Sequence, residues 1–129
     1  LIVIDTHAVI WLTQDASQLS SRASEAMISQ RRSGGLSIAD ITLREIAFLV
    51  TSGRVSVSPP LDEYLKFIQG LFKVVAISAE IARQSVMFSR KYPRDPADRL
   101  IGATALVLGV PLITADGAIR ASGEVNCLW

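Results

Sequence analysis

Apolar residues along the chain fall into short unbroken runs separated by longer stretches with a period near that of an α-helix. The runs Leu1 to Ile4, Lys73 to Ile77 and Pro111 to Thr114 have strand character, with weaker ones at Leu36 to Ile38 and Val125 to Leu128. Each is too short to be an ordinary helix. Helical periodicity occupies Ala8 to Thr13, Ser21 to Arg32, Thr42 to Thr51, Leu61 to Leu71, Ala79 to Lys91 and Pro96 to Leu108. Breaker residues agree with these limits: Gly34-Gly35 and Gly53 follow helices, Pro59-Pro60 precedes one, and Gly109 closes the last before Pro111. Alternation of strand and helix predicts an α/β protein, a three-layer α/β/α sandwich around a central parallel sheet of about four to five strands. Such sheets hold their ligands beyond the carboxyl ends of the strands, so chemistry is expected at that edge.

Length and composition narrow the picture. With 129 residues, no long linker and no repeat, residues 1–129 are expected to form a single domain. An apolar content of 50% and a mean hydropathy of +0.38 exceed what one small soluble monomer needs, so part of that surface is expected to meet a partner or a second copy. No apolar run approaches the roughly 18 residues needed to cross a bilayer, because Asp5, Arg44, Glu45, Asp98 and Arg99 interrupt the candidates. Leu1 to Ile4 reads as a buried strand and not as a secretory leader. The single cysteine, Cys127, is expected to be a free thiol in a reducing cytoplasm. A formal charge of +1 leaves the partner open, since a polyanion responds to local patches.

The candidate chemistry is acidic. Asp5 directly follows the first strand, and Asp116 follows Leu112-Ile113-Thr114-Ala115 in the same relation to a later one. Asp95-Pro96-Ala97-Asp98 and Thr42-Leu43-Arg44-Glu45 put further acids at two helix starts. Each has a structural reading: Asp5 as a cap, Asp116-Gly117 as a turn pair, Asp95 as an N-cap ahead of a first-turn proline, and Glu45 closing a capping box on the Thr42 amide. A doubly wound sheet nevertheless brings all of them to one edge. Crowded carboxylates there repel unless a cation joins them, and with only oxygen donors at hand that cation is expected to be Mg²⁺ or Mn²⁺ and not Zn²⁺.

Four segments carry a resemblance. Ile2-Val3-Ile4-Asp5-Thr6-His7-Ala8 looks like the opening strand and helix of a PIN domain, and Ser37-Ile38 through Arg44-Glu45-Ile46-Ala47 resembles its second acidic motif. Arg94-Asp95-Pro96-Ala97-Asp98-Arg99 is similar to the family's third motif, and Leu112 to Asp116 to its last strand and acid. Ala97 stands where the family usually has an aromatic residue, and Thr104 where this subgroup often has glutamine. The resemblance, to PIN-domain ribonucleases and their VapC-type toxins, implies Asp5, Glu45, Asp98 and Asp116 as catalytic and metal-holding acids. It implies RNA as substrate, a cognate antitoxin protein whose tail lies over the acidic cleft, and a homodimer.

Around the acids, Thr6, Thr114 and Asp95 are candidates for supporting roles. Arg90, Lys91, Arg94 and Arg99 are candidates for the RNA backbone, each also readable as an ordinary solvated charge. His7, the lone histidine, is read as structural, and Trp11, Phe48 and Trp129 as core or interface residues. Two rival functions remain at this stage: a phosphoacceptor domain, which would need paired acids after the first strand and a late strand-end lysine, and a non-catalytic interaction module on the same fold.

Overall fold

The computed structural model describes residues 1–129. Five strands, β1 (Ile2–Ile4), β2 (Leu36–Ala39), β3 (Lys73–Val75), β4 (Leu112–Ile113) and β5 (Cys127–Leu128), form one sheet in the order β3-β2-β1-β4-β5. Every pairing is parallel, with Ile2 opposite Leu36 on one side of β1 and Val3 opposite Leu112 on the other. Seven α-helices connect them: α1 (Thr6–Gln14), α2 (Ser21–Arg32), α3 (Ile41–Thr51), α4 (Leu61–Leu71), α5 (Ala79–Met87), α6 (Pro96–Leu108) and α7 (Gly117–Ser122). No helix is long and apolar enough to cross a membrane.

Period-two alternation in β1 divides the core. Ile2 and Ile4 join a cluster with Val9 of α1, Met27 of α2 and Tyr64 and Ile68 of α4. Val3 points the other way, into a second cluster with Ile81 of α5, Ile101 of α6 and Ile119 of α7. Apolar residues on both faces of a strand are what a parallel sheet covered on both sides demands, and the arrangement is α/β/α. The chain runs outward from β1 through β2 to β3, then returns to β4 on the opposite flank of β1. Neighbouring connections therefore diverge at the carboxyl ends of β1 and β4, where a crevice opens.

Three local features depart from the sequence reading. Helix α5 stops at Met87 instead of Lys91. The Arg99 guanidinium takes up the backbone beyond it, donating to the carbonyls of Ser85, Phe88, Ser89, Tyr92 and Pro93 at 2.8 to 3.4 Å. Residues that bend to meet one guanidinium cannot also keep a helical ladder. Helix α7, which the pattern did not signal, starts where Asp116 accepts from the Ile119 amide at 2.9 Å. Helix α3 begins at Ile41, so Glu45 lies more than a full turn inside it and the expected capping box does not form.

Helix α6 follows its signals closely. Asp95 accepts from the Asp98 amide at 3.1 Å, Pro96 occupies the first turn, and Gly109 ends the helix at φ 66°. Gly102, one turn past Asp98, has a different reason to be glycine. A Cβ there would lie 2.0 Å from the Tyr92 hydroxyl, which is buried, stacks its ring on Phe88 and donates to the Asp98 carbonyl at 2.9 Å.

Candidate active site

A cavity of about 810 Å³ opens at the carboxyl edge of the sheet, lined among others by Asp5, Glu45, Asp95, Asp98 and Asp116. Asp5 comes off the end of β1 and is 8% exposed. Its Oδ1 accepts from the Thr6 amide at 2.8 Å and its Oδ2 from the Thr114 hydroxyl at 2.7 Å. Thr114 in turn accepts from the Asp116 amide at 3.1 Å, so one hydroxyl ties the β1 acid to the β4 acid. Glu45 enters from α3 and accepts from the Thr6 hydroxyl at 2.5 Å, with the Thr42 hydroxyl 3.3 Å from the same oxygen of Thr6. The two threonines thus orient two acids, which is why a hydroxyl residue follows Asp5 and another precedes Asp116.

The electrostatics of the edge are strained. Burial raises the Asp5 carboxyl above the ordinary carboxylate range, against the lowering effect of the Thr114 and Thr6 hydrogen bonds. Burial also raises Glu45, with Asp5 and Asp95 adding repulsion and the Thr6 hydrogen bond opposing. Asp98 is pushed up to about 7, by burial first and then by the charges of Asp5, Asp95, Glu45 and Asp116. None of the recorded partners of these acids is a lysine or arginine; they are amides and threonine hydroxyls. Ligand atoms of Glu45, Asp95 and Asp98 lie within 4.8 Å of one another. Hard oxygen donors converging with no lysine or arginine bonded to them suit a divalent cation of the Mg²⁺ class.

Residues 2–124 match the PIN domain family. The chain belongs to the PIN-domain family. This PIN domain is 31% identical over 119 residues to ribonuclease VapC22 of Mycobacterium tuberculosis, a match covering 92% of the chain and 89% of that protein. In three dimensions it is similar to a chain of VapBC2 from Rickettsia felis bound to a promoter DNA fragment, with a TM-score of 0.74, 11% identity and coverage of 98% and 96%. It is also similar to a chain of a toxin-antitoxin complex from Klebsiella pneumoniae, with a TM-score of 0.66, 22% identity and coverage of 96% and 93%. These likenesses fix the fold; the acids stand at its crevice.

Within the PIN domain the acids named from sequence gather at one cavity, but Asp95 belongs with them more closely than a supporting role implied. None of the basic residues expected at the RNA backbone lines the cavity. Arg99 is committed to five carbonyls and has no donor free for a phosphate strand. Arg90, Lys91 and Arg94 are exposed and do not line the cavity, whereas Arg44 and Arg54 do. The signal for Arg44 was present: Ile41, Arg44, Glu45, Phe48 and Leu49 share one helical stripe, and all five line the cavity. Phe48, expected in a core or interface, is 48% exposed there. His7 is exposed and rests against Trp11, which rests on Trp129, with ring centroids 5.9 and 5.7 Å apart. Asp40 escaped notice in the sequence; its Oδ2 accepts from the Ile77 amide at 3.0 Å while its buried Oδ1 has no partner.

Proposed function

We propose that this PIN domain is the ribonuclease toxin of a toxin-antitoxin pair, hydrolysing RNA phosphodiester bonds at the acid cluster with Mg²⁺ or Mn²⁺. The observation that carries the reading is the convergence of Asp5, Glu45, Asp95, Asp98 and Asp116 on one cavity, with Asp98 pushed up to about 7 by burial and then by its acidic neighbours. Identity to a ribonuclease over nearly the whole chain supports the reaction class.

Glu45, Asp95, Asp98 and Asp5 would hold the cation, and Asp116 would complete the negative field around it. When bound, the cation supplies charge neutralisation at the phosphate and makes water a better nucleophile. The chain's own contribution is orientation. Thr6 fixes the carboxylate of Glu45, and Thr114 fixes that of Asp5, so neither acid must reorganise as charge develops. Glu45, made more basic by burial, would accept a proton from an attacking water. Residues 1–129 act as one catalytic domain in the cytoplasm.

Partners follow from what the fold leaves uncovered. An apolar groove of about 490 Å³, lined by Leu12, Leu19, Met27, Ile28, Phe67 and Leu71, runs beside α1, α2 and α4 and suits a segment of an antitoxin whose tail continues to the acids. Val86 and Met87 of α5 and Leu106 and Leu108 of α6 leave apolar surface exposed on two helices that pack together, and such surface suits a homodimer. The test is cleavage of single-stranded RNA by the purified protein with Mn²⁺ and with excess EDTA. Activity that persists undiminished in EDTA would overturn the mechanism.

A further inference from the structure

We propose that Phe48, with Arg54 and Arg44 beside it, forms a nucleobase subsite that stacks a base of single-stranded RNA next to the bond being cut. The proposal rests on the ribonuclease reading above and adds to it a means of gripping the strand.

Helix α3 supplies both ends of this arrangement. Glu45 faces the acid cluster and Phe48 lies three residues further along the same stripe, about 4.5 Å of axial rise. A group on Phe48 is therefore an immediate neighbour of a phosphate at the acids. Phe48 is 48% exposed, and its ring lines the cavity instead of filling the core. A large aromatic side chain left half in water in the cavity that holds the acids costs apolar exposure that a Lys or Glu would avoid.

The charges around it favour a strand of RNA over an apolar peptide. The Arg54 guanidinium carbon lies 5.6 Å from the centroid of the Phe48 ring. Arg44, exposed on the same stripe, adds a second cation to the lining of the cavity that holds the five carboxylates. An acidic pole that takes a cation and a basic, aromatic wall beside it match the two parts of a nucleotide: phosphate bridged through the cation, base on the ring. Trp11 lines the same cavity, but its ring already rests on His7 and Trp129. Phe48 has only the movable guanidinium as a neighbour of that kind, so it is the ring with a face to offer.

The experiment compares an ordinary short single-stranded oligoribonucleotide with a strand of the same length lacking its bases, binding being measured in Ca²⁺ to limit turnover and KM in Mn²⁺. The wild-type protein is expected to prefer the base-bearing strand by about tenfold or more, the range for one stacked base. Phe48→Leu should lose most of that preference and raise KM by a similar factor, Phe48→Trp should restore it, and Arg54→Ala should lower the salt dependence of binding by about one charge. Wild-type cleavage with a base preference that Phe48→Leu leaves intact would overturn the subsite alone. Loss of affinity for an inhibitor protein in Phe48→Leu, with RNA preference unchanged, would also overturn it by assigning the ring to a protein contact. A wild-type protein that neither binds nor cleaves RNA would overturn the ribonuclease reading, and the subsite with it.

Discussion

Asp98→Asn should stabilise the metal-free protein, and the gain should depend on pH. Asp98 titrates at about 7 in the fold, against 3.8 for the ordinary group. Between those values the native state holds a proton that the unfolded chain has released, so stability falls as pH rises from about 4 through about 7. Asparagine stays neutral in both states and escapes that loss. Taken whole, the shift would be worth about 4 kcal/mol at about 1.4 kcal/mol per pH unit, but Asp98 is only half-buried and solvent screens it, so about 1 to 2 kcal/mol is expected. Loss of a first-turn acid from α6 returns about 0.3 to 1 kcal/mol. The net gain of about 1 kcal/mol corresponds to roughly 4 °C in Tm for a chain of this size.

The assay is thermal melting of both proteins in EDTA at several pH values, repeated with Mn²⁺. In EDTA the variant should melt with the wild type near pH 4, draw ahead across the neutral range, and keep a constant lead above it. With Mn²⁺ the order should reverse, since only the wild type gains stability by binding, about 2.7 kcal/mol when the metal is a hundredfold above Kd. A variant that melts at or below the wild type at pH 8 in EDTA, or a difference that ignores pH, would refute the claim that crowded carboxylates strain this edge.

Asp95→Asn keeps the N-cap, since asparagine caps nearly as well, so metal-free stability should change by a few tenths of a kcal/mol; its Mn²⁺ affinity, read from the metal-dependent rise in Tm, should fall, but less than in Asp98→Asn. Thr114→Val removes the donor to Asp5 and the acceptor of the Asp116 amide, and should cost about 1 to 3 kcal/mol by chemical denaturation. Because the lost hydrogen bond lowers the Asp5 pKa, the acid limb of the cleavage pH profile should move to higher pH, and an unmoved limb would count against Asp5 in the reaction. Gly102→Ala should destabilise by about 1 to 3 kcal/mol despite alanine's better helix propensity, as its Cβ meets the Tyr92 hydroxyl; a rise in Tm would refute that packing argument. Arg99→Lys should lower stability and leave the salt dependence of RNA binding unchanged, since the guanidinium is bound to carbonyls; a reduced salt slope would restore it as a phosphate contact.

The sequence by itself determined the layers of this protein and the edge at which its acids stand. Strand and helix are written in periodicity, and helices such as Ser21–Arg32 and Pro96–Leu108 keep the limits that their local caps and glycines set. Asp5 and Asp116 were legible for the same reason, because a residue just past a buried parallel strand has one place to go. Local rules failed where a distant group competed for the same atoms. Arg99 drew in carbonyls that α5 would otherwise have continued through, and Thr6, 39 positions before Glu45, took the carboxylate that a capping box needed.

Only the tertiary structure decided what each acid does and which cations face the crevice. Asp95 reads as a helix cap along the chain, and it is one; that its carboxylate also lies within 4.8 Å of Glu45 and Asp98 depends on how α3 and α6 pack. The same packing turned Arg44 and Phe48 toward the cavity and left Arg90, Lys91 and Arg94 outside it. Adjacency in sequence therefore does not reveal which basic residues line the cavity. Coulomb energy and desolvation depend on distance and burial through space, and a chain folded around a central sheet sets both by which helices meet across its edge.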